Sequence, residues 1–149
     1  MSKLFFPILL LFSCLFYQNL NAQNHVKWEA RFDENTSEIV ITATIDKHWH
    51  LYSINNPVDL GPVPTYISFE KTRGLRLIGK TIEQEPINAF DPNFGTHVAY
   101  HENKVEFRQK VKLKIRKIKK LNLTVSYMVC DDSQCLPPID VNIIMHFAK

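Results

Sequence analysis

The chain has 149 residues, of which 45% are hydrophobic and 22% charged, a balance that excludes a disordered or low-complexity segment and suits one domain around one core. Its 18 Lys and Arg against 15 Asp and Glu leave a formal charge of only +3. That balance argues neither for nucleic acid nor for an acidic partner.

The first 22 residues read as an export signal. Lys3 supplies a small positive region, Leu4 to Tyr17 is almost wholly apolar, and Asn19-Leu20-Asn21-Ala22 offers cleavage after Ala22. The run is too short and too poorly flanked for a stable membrane span. Leu11-Phe12-Ser13-Cys14 is a poor lipoprotein box, because a bulky Phe precedes the Ser and the apolar run continues past Cys14. The expected organisation is therefore a signal peptide over 1–22 and one domain over 23–149. Cys130 and Cys135 are then the cysteines that remain, and in an oxidising compartment they are expected to pair.

No stretch of the mature chain has helical periodicity; apolar residues recur with period two instead. His25 to Phe32 is a first strand, and Ile39, Ile41, Ala43 and Ile45 mark a half-buried second one. Asp46-Lys47 turns the chain into His48-Trp49-His50-Leu51-Tyr52-Ser53, and Asn55-Asn56-Pro57 with Gly61-Pro62-Val63-Pro64 marks a loop. Thr65 to Glu70 and Leu75 to Gly79 are further strands. Glu83 to Gly95 is the least regular segment, broken by Pro86, Pro92 and Gly95 and carrying Phe90 and Phe94 in an expected surface loop. Val98 to His101 is a short strand. Val105, Phe107, Val111, Leu113 and Ile115 define a long one. Lys110, Lys112, Lys114, Arg116, Lys117, Lys119 and Lys120 resemble a phosphate-binding patch in isolation, but alternation with Val111, Leu113 and Ile115 makes them the solvated side of a strand. Leu121, Leu123, Val125, Tyr127 and Val129 form the next strand, and Ile139 to Phe147 the last. About eight short strands with turn signals between them and no crossover helices predict an all-β, immunoglobulin-like antiparallel β-sandwich, with a closed barrel as the competitor.

The informative stretch is Val125 to Pro138. Cys130 and Cys135 flank a short polar bend and can close into a disulfide without moving the strands that carry them. Cys130 falls on the face opposite Leu121, Leu123, Val125, Tyr127 and Val129, so its thiol points away from the main core and the bond is expected near the surface. A loop this short contributes only roughly 2 kcal/mol by chain entropy. That is little for a staple, although small structural disulfides at hairpin ends occur, so the residues alone leave both readings open. Asp131 and Asp132 follow Cys130 directly, and no Lys or Arg occurs from Leu121 to Pro138. Negative charge beside a thiol disfavours its thiolate, so the pair is a guarded one that a partner's low-pKa thiolate can still open.

Tyr127-x-x-Cys130-Asp131-Asp132-x-x-Cys135-Leu136-Pro137-Pro138 resembles the redox motif of the N-terminal periplasmic domain of the thiol:disulfide interchange protein DsbD. His48-Trp49-His50-Leu51-Tyr52-Ser53 is similar to that domain's aromatic Gly-[Trp/Tyr]-x-Leu-Tyr segment, with His48 in place of the glycine. The gap between the cysteines is shorter here than in the best-known members. The resemblance implies a periplasmic protein with an immunoglobulin-like fold and a reversible disulfide. It implies thioredoxin-like partners reached through transient mixed disulfides, with a membrane electron-transfer protein indirectly upstream. By position in the motif, Cys135 bonds the partner and Cys130 resolves the intermediate. Phe90 to Gly95 occupies the place of the family's aromatic cap, making Phe94 or Phe90 the candidate lid, and Tyr52 and His50 fall where family aromatics line the site. Lys149 follows with neither membrane segments nor a thioredoxin-like domain in between, so both neighbours in the electron path are expected to be separate proteins.

Tyr127, on the core side of its strand, suits packing before a place at the site, and Asp131 suits turn formation. His48 and His50 form an H-x-H pair that on a strand would point one way, but no third ligand is evident, and neither metal nor cofactor is expected. The expected activity is protein-disulfide reductase-type thiol–disulfide exchange. The alternatives are an exported interaction domain with a purely structural disulfide and, third, a metal chaperone.

Overall fold

The computed structural model describes residues 25–57, 61–114 and 118–147. The expected signal over 1–22, and Ile115, Arg116 and Lys117 of the expected basic strand, lie outside the described residues. The described residues form strands: β1 (Val26–Asp33), β2 (Glu38–Ile45), β3 (His50–Tyr52), β4 (Tyr66–Phe69), β5 (Leu75–Leu77), β6 (Ile82–Glu83), β7 (Ile87–Asp91), β8 (Thr96–Glu102), β9 (Lys104–Leu113), β10 (Lys120–Tyr127), β11 (Val129–Cys130) and β12 (Ile139–His146).

They form three antiparallel sheets. One has the order β1-β2-β9-β5 with β6 also on β9, a second β12-β10-β4, and a third β11-β3-β8-β7. The first two pack face to face as an immunoglobulin-like β-sandwich. Ile39, Ile41, Ala43, Val105 and Phe107 from one side meet Leu121, Leu123, Val125 and Tyr127 from the other, all buried. On β9 the exposed Lys110 and Lys112 alternate with buried Gln109 and Val111, whereas on β2 Val40 is buried along with Ile39 and Ile41.

Two expectations are corrected. Glu83 to Gly95 is not an irregular loop: β7 pairs with β8 from Ile87↔Tyr100 to Asp91↔Thr96, making a hairpin whose tip is Pro92 to Gly95. The run Leu121 to Val129 is not one strand either. β10 pairs with β4 and β12, whereas Val129 and Cys130 pair with Leu51 and His50 of β3. The chain thus changes sheets at Met128, and this break places the cysteine stretch on the third sheet.

The third sheet has two unlike faces. Leu51 and Val129 join the main core, and His101 meets Phe107 edge-on with ring centroids 6.1 Å apart. The other face builds a separate small cluster from Tyr52, Val98, Met128 and Cys130, with Phe94, Tyr100 and Cys135 packed against it.

Beside this sheet lies a buried polar hub. Glu83 accepts hydrogen bonds from the Ser53 hydroxyl, from Ile54 N at 3.2 Å and from Asn55 Nδ2 at 2.9 Å. Its other contact is His101 Nε2 at 2.9 Å, with the two side chains only 3% and 6% exposed. Burial alone would raise the Glu83 carboxyl, but these donors, His101 first, hold it below the usual range. The hub fixes the chain immediately after Tyr52. Thr65 Oγ1 adds a bond to the Tyr52 carbonyl at 2.5 Å.

Candidate active site

Cys130 and Cys135 are bonded, with Cα atoms 4.0 Å apart. They form an isolated antiparallel bridge. Asp131 N donates to Gln134 O at 2.9 Å and Leu136 N to Val129 O at 3.0 Å. Asp131 organises the bend, its Oδ1 accepting from Ser133 N, Ser133 Oγ and Gln134 N, each at 2.8 Å. Those bonds, the Ser133 amide foremost, bring its carboxyl down to about 2, so the bend is held by a carboxylate at any ordinary pH.

Cys130 points away from the main core, as its strand phase predicts, and it is fully covered, 0% exposed. Its cover comes from the β7–β8 hairpin and β3, which the phase of one strand does not reveal. Cys135 is partly exposed. The two cysteines of one bond therefore differ in exposure.

The cover is built on one face of the third sheet. Cross-strand pairs place His50 opposite Cys130 and Glu102, and Tyr52 opposite Tyr100. The Tyr52 hydroxyl donates to Asp91 Oδ2 at 2.6 Å. His50 Nε2 stands 3.1 Å from Tyr52 Oη and 3.5 Å from Asp91 Oδ2. Burial, then the Asp91 contact, pushes the Tyr52 phenol well up. Burial also pushes Asp91 up, but the Tyr52 hydroxyl, the Asn93 amide and His50 outweigh it and leave its carboxyl below the usual range. Tyr100 is pushed up by burial and by Glu102, Asp132 and Asp91.

The hairpin tip leans over the disulfide. Asn93 N donates to Asp91 Oδ1 at 2.8 Å, and Asn93 Nδ2 reaches Asp131 O at 3.0 Å, tying the tip to the cysteine bend. Gly95, at φ 64, closes the tip in a left-handed conformation that glycine adopts freely. Phe94 meets the Tyr52 ring edge-on at 5.9 Å. Phe90 is 58% exposed and lies on the opposite face of β7, beside His97 at 5.9 Å.

Of the sequence candidates, the fold gathers Cys130, Cys135, Phe94, Tyr52, His50 and Asp131. It leaves Phe90 outside. Tyr127 sits in the main core with its ring 5.2 Å from that of Trp28. His48 is at φ 72 in the turn before β3, so strand parity does not align it with His50. Among the described residues no group of three His, Cys, Asp or Glu is placed to hold a metal. Sequence reasoning missed Asp91 and Tyr100. Asp91 opens the turn Asp91-Pro92-Asn93-Phe94-Gly95, and an acid at the start of a tight turn next to an aromatic was the available signal.

Residues 18–145 match the family described as "Thiol:disulfide interchange protein DsbD, N-terminal". The chain belongs to this family. No curated protein sequence matches it significantly. Among solved structures it is similar to the reduced N-terminal domain of DsbD from Neisseria meningitidis, with a TM-score of 0.60 and 14% identity over 84% of this chain and 87% of that one. It is similar to the complex of the DsbD and PilB N-terminal domains from the same organism, with a TM-score of 0.57 and 12% identity over 84% and 85%. It also resembles the N-terminal periplasmic domain of ScsB from Proteus mirabilis, with a TM-score of 0.57 and 17% identity over 87% of this chain but 49% of that one, about half its length. At these identities the structures establish the shared DsbD N-terminal fold. Family membership, with a cysteine pair at bonding distance, makes the chain a thiol–disulfide interchange module.

Proposed function

We propose that this protein is a periplasmic relay that passes reducing equivalents between thioredoxin-like proteins by opening and reclosing the Cys130–Cys135 disulfide. The observation that carries the reading is the unequal exposure of the two cysteines: Cys130 is fully buried and Cys135 partly exposed. A visiting thiolate therefore meets Cys135 first and forms the mixed disulfide there, with Cys130 as leaving group. In the reverse direction Cys130 attacks the mixed disulfide and frees the partner. Phe94 and the hairpin tip form the cap, which slows attack on the bond, by a small thiol as by a partner, because the bond is reached only when the tip opens. Tyr52, His50 and Asp91 line the buried side. The DsbD–PilB complex among the similar structures supports a redox protein as partner, and a membrane electron-transfer protein stands upstream as the source.

Cysteine replacement tests this. With Cys130→Ser, Cys135 remains but cannot be released, so a thioredoxin-like partner accumulates as a mixed disulfide. With Cys135→Ser the buried Cys130 captures far less. If neither variant ever holds a partner, the pair is a fixed brace in an exported interaction domain.

A further inference from the structure

His50 lies on the active face beside Cys130. It is the register partner of Cys130 between β3 and β11, and directly paired residues put their side chains on the same face of a sheet. Its side chain is 12% exposed. Because the Tyr52 hydroxyl gives its own proton to Asp91, the nitrogen 3.1 Å from that oxygen has to bring one, so the hydrogen-bond network assigns His50 as an Nε2–H donor. Nδ1 is then the nitrogen left to gain or lose a proton.

The chemistry of Cys130 calls for such a group. A thiolate released at a fully buried position is strongly disfavoured. No Lys or Arg occurs from Leu121 to Pro138, and among the described residues the acidic groups around the His50–Cys130 pair are Asp91 of β7, Glu102 of β8, and Asp131 and Asp132 of the bend. Each makes a new anion harder to bear. Tyr52 and Tyr100 hold their protons firmly, and Asp91 is ionised. Among these neighbours the imidazole is the one side-chain type that ordinarily titrates between about pH 5 and 8.

We propose that His50 carries the proton of Cys130 through the exchange cycle. The inference rests on the relay reading above. A partner thiolate bonds to Cys135 Sγ, the Cys130–Cys135 bond breaks, and its electron pair goes to Cys130 Sγ. The partner's sulfur is thereby oxidised to the disulfide level and Cys130 reduced. The His50 imidazolium gives its Nδ1 proton to the departing sulfur, which becomes a thiol, and the neutral ring keeps its Nε2–H bond to Tyr52. In the return direction the neutral ring takes that proton back, Cys130 attacks as a thiolate, and the partner leaves.

The test is the pH profile of disulfide reduction by dithiothreitol from pH 5 to 8, with each rate divided by the reagent's thiolate fraction. For the wild type the corrected rate falls about tenfold or more as pH rises, with one inflection. His50→Gln keeps an N–H donor for Tyr52 but cannot titrate; its profile is flat, and at pH 5 it is about tenfold slower than the wild type. Imidazole NMR of the wild type, needing no variant to fold, places the His50 titration at the same pH as the rate inflection. A flat wild-type profile, an inflection that survives in His50→Gln, or a His50 titration far from the inflection overturns the proposal. A disulfide that dithiothreitol reduces at no pH overturns the relay reading instead.

Discussion

Replacing Phe94 by alanine should accelerate reduction of the Cys130–Cys135 bond by a thioredoxin-like protein by roughly one order of magnitude or more. The Phe94 ring is half-buried against the small cluster that holds Tyr52 and Cys130. Complete burial of a phenylalanine contributes about 1.5–3 kcal/mol, so half of it is about 1 kcal/mol. The edge-on contact with Tyr52 adds about 0.5–1 kcal/mol. Losing about 1.5–2 kcal/mol raises the open population about 10- to 30-fold, and the rate follows while the partner reacts only with the open form. The Asn93–Asp131 bond still holds the tip, at about 1 kcal/mol, so the gain does not saturate at once. Stopped-flow reduction under pseudo-first-order conditions at pH 7 reads the effect. Phe90→Ala is the control: its ring lies on the far face of β7 and the rate should stay within about twofold. A Phe94→Ala rate within twofold of the wild type, or an equal acceleration in Phe90→Ala, would refute the capping argument.

Other consequences concern stability. His48 holds a left-handed backbone, φ 72, which glycine tolerates better by about 1 kcal/mol, so His48→Gly should raise the melting temperature by a few degrees; a lower melting temperature would count against that turn geometry. Glu83→Gln leaves His101 and Ile54 N facing a poorer acceptor in a buried hub and should cost about 2–4 kcal/mol in urea unfolding, whereas an unchanged midpoint would mean the hub does not hold the chain after Tyr52. Glu83 and Asp91 both sit below their ordinary pKa when folded. Their contribution is complete above the unfolded values and is lost as pH falls through the folded ones, so the melting temperature should decline steadily below about pH 4.5. A melting temperature that rises on acidification would contradict that sign.

Strands with one buried side were legible because alternation records burial directly: Leu121, Leu123, Val125 and Tyr127 are core residues on β10, as their spacing requires. The opposite phase of Cys130 was legible for the same reason. Its burial was not, since the cover comes from Tyr52 and Val98 on other strands. The β7 strand escaped notice because it is an edge strand between Pro86 and Pro92, with Ile87 and Phe90 both exposed, so no alternation marks it. The sheet change at Met128 leaves the apolar period unbroken and is invisible in the pattern. The contact between Tyr52 and Asp91 spans 39 positions, and no local spacing encodes it. His48 was legible as an oddity in the aromatic segment, and its left-handed φ gives the physical reason a glycine suits that place.

The reduction potential of the Cys130–Cys135 pair, measured by equilibration with a buffered thiol, bears most directly on whether this bond is a working one. A pair that exchanges with thioredoxin-like partners has a potential above about −300 mV, within their range. A value well below about −300 mV would make the disulfide a permanent brace and remove the relay function.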